Sequence, residues 1–139
     1  DPKVLKDIKR FTIANDEQQI IINKLKNNDI LVKSMFMFGN PEDNEDSIKD
    51  TISYSMKLSN QLVQYSVFTP YPGTPIFSHY ENKIIEKRYE KFNQYNLTFK
   101  HKNLDNKKIK TLKNYGYKKF YLRFKNLPII IKSGLSFFK

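Results

Sequence analysis

From Asp16 to Asn28 the apolar residues Ile20, Ile21 and Leu25 recur at helical spacing. Asn15 or Asp16 can cap the amino end, Glu17 sits in the first turn, and Lys24 and Lys26 sit in the last. Acids near a helix start and bases near its end complement the helix dipole, so the spacing predicts a helix over 16–28. Asn27-Asn28-Asp29 interrupts it. A nearly continuous apolar run, Ile30 to Phe38, then ends at Gly39-Asn40-Pro41. A run of that length stopped by turn residues predicts a strand buried on both faces, as in parallel sheets covered by helices.

The polar stretch Asp43-Asn44-Glu45-Asp46 opens a second helix, with Asp43 or Asn44 as cap and Ile48, Ile52, Met56 and Ser59 as its buried stripe. Leu62 to Phe68 reads as a second strand, which makes an αβαβ series with a βαβ unit at its centre. The loop Thr69-Pro70-Tyr71-Pro72-Gly73-Thr74-Pro75 has three prolines and a glycine in seven residues. It can be neither helix nor central strand, and it stiffens the carboxyl end of the second strand. In parallel α/β sheets that end is where ligands bind, although a rigid connector would look the same. A short helix is expected around 76–82, then a charged, Tyr-rich segment over 83–103. A last helix, capped by Asp105, carries Ile109, Leu112, Gly116 and Phe120 on one face.

Composition changes this picture in two places. The chain has 139 residues and no cysteine, which rules out disulfides, thiol redox chemistry, cysteine zinc sites and any iron–sulfur cluster held by this chain alone. Charge is divided unevenly: residues 1–80 carry 9 basic and 10 acidic side chains, residues 81–139 carry 16 and 4. Part of that excess follows from a Lys-, Ile- and Asn-rich composition of the kind an AT-rich coding sequence gives. Two regions are expected: a balanced α/β part over 1–80 and a basic, Tyr-rich helical extension over 81–139. No apolar run approaches the ~20 residues of a membrane span and no signal peptide opens the chain, so a cytoplasmic location is expected. The chain starts at Asp1, inside a helical pattern, and is expected to be a fragment.

Candidate chemistry within the chain is thin. His79 and His101 lack metal-ligand spacing and read as surface or loop residues. Glu42, Asp43, Glu45 and Asp46 could hold a hard cation but sit where a helix start wants acids. Tyr89, Phe92, Tyr95 and Phe99 lie among lysines and arginines without any nucleic-acid-binding motif, so nucleic acid is not the expected partner. The tail from Phe120 to Lys139 is basic and apolar together; it could pack on neighbouring helices or touch an anionic membrane peripherally.

Two stretches carry a family likeness: Met35-Phe36-Met37-Phe38-Gly39-Asn40-Pro41-Glu42-Asp43-Asn44-Glu45-Asp46-Ser47-Ile48, and Phe68-Thr69-Pro70-Tyr71-Pro72-Gly73-Thr74-Pro75-Ile76-Phe77. They resemble the fifth- and sixth-strand motifs of radical S-adenosylmethionine (SAM) enzymes, in the group often fused to a cobalamin-binding domain. Lys118-Lys119-Phe120-Tyr121-Leu122-Arg123 is similar to that group's carboxyl-terminal helix. The resemblance implies the carboxyl-terminal portion of a partial (β/α)6 barrel, with a helical carboxyl-terminal extension. The parent enzyme would bind SAM and a [4Fe–4S] cluster, with cobalamin a further cofactor if the fused domain is present.

By the same resemblance, Met37 would lie against the adenine of SAM. Gly39 would be the second glycine of the fifth-strand motif, and the backbone of Phe68 and Thr69 would close over the adenine edge. Met35 stands where the family has its first glycine, and the family's acid falls at Glu42 or Asp43, its turn aligning Asp43 with the acid and Glu42 with a usual Gly. The cluster loop would lie in the remaining amino-terminal part of the same protein, so this chain alone is expected to be inactive and to hold no catalytic residue. Implied partners are that amino-terminal part, a small-molecule or lipid-like substrate, and an electron donor such as flavodoxin or ferredoxin. The alternatives are a cluster-less structural or binding module, and a basic module for membranes or nucleic acid.

Overall fold

In the computed structural model, which describes residues 15–123, the chain alternates as the hydrophobic pattern predicts. Helix α1 (Asn15–Asn27) leads to strand β1 (Lys33–Phe38), helix α2 (Glu45–Lys57) and strand β2 (Leu62–Val67). Helix α3 (Pro75–Tyr80), two short 3-10 turns at Glu81–Lys83 and Tyr89–Lys91, and helix α4 (Asn106–Tyr121) complete the described residues. The opening residues 1–14 and the tail from 124 onward, including most of the basic apolar stretch, lie outside them.

β1 and β2 pair in parallel, with Lys33 opposite Leu62 and Phe38 opposite Val67. Their sequence parity sorts the sheet into two faces. Phe36, Phe38, Val63, Tyr65 and Val67 face α2 and α4, which pack against each other on that side. The Phe38 and Tyr65 rings stack with centroids 4.8 Å apart, and Tyr65 also meets Tyr117 at 5.0 Å. Gly116 allows this approach: a Cβ there would lie 2.9 Å from Tyr65 Cε2. Phe99, Leu104, Ile109, Leu112 and Phe120 join the same core, so residues on both sides of position 80 share one apolar cluster.

Local signals explain the helix ends. Asn44 caps α2, its side chain accepting from Asp46 N and Ser47 N while Ser47 Oγ accepts from Asn44 N. Asp105 caps α4 by accepting from Lys108 N at 2.7 Å, and the expected face Ile109, Leu112, Gly116 and Phe120 is buried. Thr74 caps α3, with Pro75 at its first position. At the far ends of α2 and α4, Arg123 donates from Nη1 to Met56 O and from Nε to Phe120 O, joining the two helices.

Three expectations need correction. β1 is not buried on both faces: Lys33, Met35 and Met37 are exposed, because both packed helices lie on the opposite face and β1 has one neighbouring strand among the described residues. The run Ile30–Val32 precedes the strand, and Ile30 and Leu31 are exposed. On α1 the buried position is Ile22; Ile20 and Ile21 face outward. Further along, residues 84–105 form no α-helix, and an antiparallel bridge pairs Ile84 with Phe99.

The two sheet edges differ. Backbone groups of residues 63, 65 and 67 point away from β1, and side chains meet the first two. Tyr121 Oη accepts from Val63 N at 3.2 Å and donates to Val63 O at 3.1 Å, and Tyr117 Oη accepts from Tyr65 N at 3.1 Å. Val67 N donates to Gln94 O at 2.7 Å. The outer edge of β1 pairs with no strand among the described residues.

Candidate ligand site at the strand ends

Parallel pairing brings the carboxyl ends of β1 and β2 side by side, and the four predicted residues gather there. Met37 lies opposite Ser66 in the register, on the uncovered face, with 41% of its surface exposed. Gly39 follows β1 with φ +76°, a left-handed conformation that glycine adopts without strain. It is buried, and a Cβ there would lie 3.1 Å from Leu97 Cδ2. Phe68 N donates to Phe38 O at 2.8 Å, extending the ladder one step past β2. Thr69 is buried, and its hydroxyl donates back to Val67 O at 3.0 Å.

The same face also carries the exposed Lys33 and Met35, the half-buried Gln64 and the buried Ser66, which the resemblance does not name. Lys33 Nζ donates to Gln64 Oε1 across the strands at 2.9 Å, and Ser66 Oγ donates to Phe36 O at 3.1 Å. Polar residues at alternate positions within an apolar run are the signal that separates this face from the core face. At the carboxyl end the face is closed by rings: Phe68 meets Tyr80 and Phe99 edge-on, with centroids 6.0 and 5.8 Å away.

The turn after β1 is held from two directions. Asn40 N donates to Asp43 Oδ2 at 2.9 Å, and Asp43 Oδ1 accepts from Ser47 Oγ, so the carboxylate folds the turn while Asn44 caps the helix. From the other side, His101 Nδ1 accepts from Asn103 N and Leu104 N at 3.0 and 3.2 Å. Its proton is therefore on Nε2, which donates to Asn40 O at 2.8 Å. Asn103 Nδ2 adds a bond to Asp43 O at 3.0 Å. His101 is thus a tether between segments about 60 positions apart, a role that spacing along the chain does not reveal.

Prolines and aromatics shape the rest. Pro70 is fully buried, whereas Tyr71, Pro72 and Gly73 are exposed, so the loop is anchored at its first proline and presents the next three residues. Burial, with the charge of Glu42 adding to it, pushes the Tyr80 phenol above its ordinary pKa. Phe92 and Phe99 are core residues, which leaves Tyr89 and Tyr95 exposed from the aromatic set in the basic half. Among the described residues no group of three or more His, Asp and Glu converges to hold a metal ion, and no helix is long and apolar enough to cross a membrane.

No family model matches the chain. It is similar to a bacteriochlorophyllide d C-12(1)-methyltransferase of Chlorobaculum tepidum, 25% identical over 109 residues that make up 78% of this chain and 24% of that protein. An uncharacterized methyltransferase of Pyrococcus horikoshii is 29% identical over 94 residues, 66% of this chain and 20% of that protein. An anaerobic magnesium-protoporphyrin IX monomethyl ester cyclase of Cereibacter sphaeroides is 24% identical over 115 residues, 83% of this chain and 18% of that protein. The relatives are enzymes by name, two methyltransferases and a cyclase. The matched part spans between 18% and 24% of their length.

Proposed function

We propose that this chain is the carboxyl-terminal part of a radical SAM barrel and forms one wall of its SAM-binding site. The observation that carries the reading is the convergence of Met37, Gly39, Phe68 and Thr69 at the carboxyl ends of adjacent parallel strands. That end is where α/β sheets and barrels bind ligands. The free edge and uncovered face of β1 suit a strand that continues into a larger sheet. Similarity to segments of methyltransferases and a cyclase supports an enzyme of this kind.

The residues fit part of the cofactor set. Met37 offers an exposed, polarizable side chain for a purine to lie against, and the Gly39 turn and the Phe68–Thr69 backbone are fixed beside it. The [4Fe–4S] cluster does not fit this chain, which has no cysteine, and no step through it belongs to these residues. When bound, SAM supplies the radical chemistry through its reductive cleavage. This chain's contribution is to hold the adenine end and to keep the strand-end turn rigid. The substrate, the electron donor and the amino-terminal remainder of the barrel belong to the same proposal.

The test is anaerobic reconstitution, with iron and sulfide, of the longest natural polypeptide that contains this segment. It is followed by chromatography for 5′-deoxyadenosine after addition of SAM and dithionite. Formation of that product, weakened by Met37→Ala through a raised KM for SAM, is the expected outcome. A polypeptide that assembles no cluster and releases no 5′-deoxyadenosine refutes the reading.

A further inference from the structure

A second groove lies away from the strand ends, between the 93–97 loop and the first turns of α4. Lys107, Lys110 and Lys113 recur every third residue and share its floor with Asn106; Tyr95 and Asn96 form the opposite wall. That wall is held firmly. Leu97 N donates to the Asn106 side-chain oxygen at 2.7 Å, Asn106 Nδ2 donates to Leu97 O, and Gln94, at φ +63°, places its carbonyl on Val67 N.

The charge of this groove is of one sign. No acidic side chain lines it, and residues 106–123 contain seven Lys and Arg and no Asp or Glu. Glu45 and Asp105 line a neighbouring groove that shares Lys107. Lys113 is the unusual member. Its side chain is buried, with 9% of the residue exposed, and among the described residues no carboxylate pairs with it. Its ammonium sits over the Tyr95 ring, 5.0 Å from the centroid. Burial lowers its pKa. A cation–π contact offsets only part of what a partly desolvated ammonium loses in hydration, and an anion in the groove would offset the rest.

We infer that this groove binds a phosphate monoester or diphosphate group, with Lys113, its stem packed into the fold, as the fixed cation, Lys107 and Lys110 as mobile arms, and Tyr95 as the facing wall. Three ammonium groups offer several charge-assisted donors to the oxygens of such a group, and a singly charged carboxylate would use fewer of them. The inference does not depend on the radical SAM reading, since none of these residues belongs to the strand-end set.

The test is calorimetric titration of the 139-residue chain with inorganic pyrophosphate, alongside NMR of the Lys113 Cε resonance. Single-site binding that shifts the Lys113 resonance is expected. Lys113→Gln should weaken it about tenfold, the loss of one charge-assisted hydrogen bond. Lys110→Gln, on an exposed arm that leaves the core untouched, should weaken it about threefold. The double variant Lys118→Gln/Lys119→Gln, on the same helix outside the groove, should change it less than about twofold. A parallel arm uses phosphatidic acid vesicles. Binding there alone, with the same Lys113→Gln loss, identifies a lipid headgroup as the source of the phosphate; binding of soluble pyrophosphate identifies a free ligand. No saturation in either arm, or an equal loss in the Lys118/Lys119 variant, overturns the inference, the second because it marks diffuse attraction.

Discussion

Closure of the β2 edge by two phenols makes a sharp prediction. Tyr121→Phe keeps the ring that packs edge-on against Phe120, centroids 5.1 Å apart, and deletes the hydroxyl alone. That hydroxyl both accepts from Val63 N and donates to Val63 O, so the variant strands one donor and one acceptor on a half-buried edge. A hydrogen bond contributes about 1 kcal/mol net, and a buried group left unpaired costs about 1–3 kcal/mol. Water reaches this edge in part, so a loss of about 2 kcal/mol is expected for Tyr121→Phe. Tyr117→Phe deletes a single bond, to Tyr65 N, and should cost about 1 kcal/mol. The two rings stack 6.3 Å apart, close enough for the double variant to depart from additivity. Urea unfolding of the 139-residue chain measures the totals, and amide exchange at Val63 and Tyr65 assigns each loss to its own site. Unchanged stability together with unchanged Val63 exchange in Tyr121→Phe would refute the edge-closure argument.

Gly39→Ala should lower the thermal midpoint, because an alanine in the left-handed region costs about 1–2 kcal/mol and its Cβ would press on Leu97 Cδ2 at 3.1 Å. In a double-mutant cycle with Leu97→Ala, which corrects for that core truncation's own cost, the penalty of Gly39→Ala should shrink by the second effect and keep the first; a penalty that vanishes would contradict the conformational reading. His101→Phe keeps a ring near Phe99 but removes the tether to Asn40 O and the acceptor for Asn103 N and Leu104 N. Faster amide exchange at Leu104 and quicker proteolysis within 39–43 are expected, and unchanged Leu104 protection would show that the tether carries little. Lys113 binds its proton less tightly folded than unfolded, so its contribution to stability should improve as pH rises toward 10.5. Denaturant titrations carried from neutral pH up toward 10.5 should show that rise in the wild type and a flatter profile in Lys113→Gln; parallel profiles would contradict it.

Local chemistry made much of the fold legible. The pair Asp43-Asn44, of which Asn44 is the cap, and Asp105 announce their helices because a short polar side chain before an apolar stripe has few other uses, and the stripe Ile109, Leu112, Gly116 and Phe120 is the buried face of α4. β1 departs from the expectation for a physical reason: apolarity says that a face can be buried, not that something covers it. Ile22 shows a similar limit, since three consecutive isoleucines fit a helical stripe in more than one phase. The tyrosine bonds to β2 span 52 and 58 positions, and the His101 tether spans 61. Such contacts leave no periodic trace. Of the candidate site, the apolar run ending at Gly39 and the Pro-rich loop were visible, while Gln64 and Lys33 emerge only once the register of the two strands is known.

The contrast between the two sheet edges bears on what the chain belongs to. An exposed strand edge is a template for further pairing, and proteins blunt it with charges, bulges, prolines or a covering element. β2 is blunted by Tyr117, Tyr121 and the Gln94 carbonyl, side chains and loop that occupy the positions a further strand would need. Among the described residues β1 has a single such device, the charge of the exposed Lys33 at its amino end, and no strand pairs with its outer edge. By parity its free edge presents the backbone groups of Lys33, Met35 and Met37, and Met35 is 60% exposed. A sheet so built can grow past β1 and cannot grow past β2 without displacing α4. On the proposed reading β2 is therefore the last strand of the barrel, and α4 with its tyrosines closes that end. The adenine wall then lies one strand in from the closed end, on the face and edge where the remaining strands would meet it.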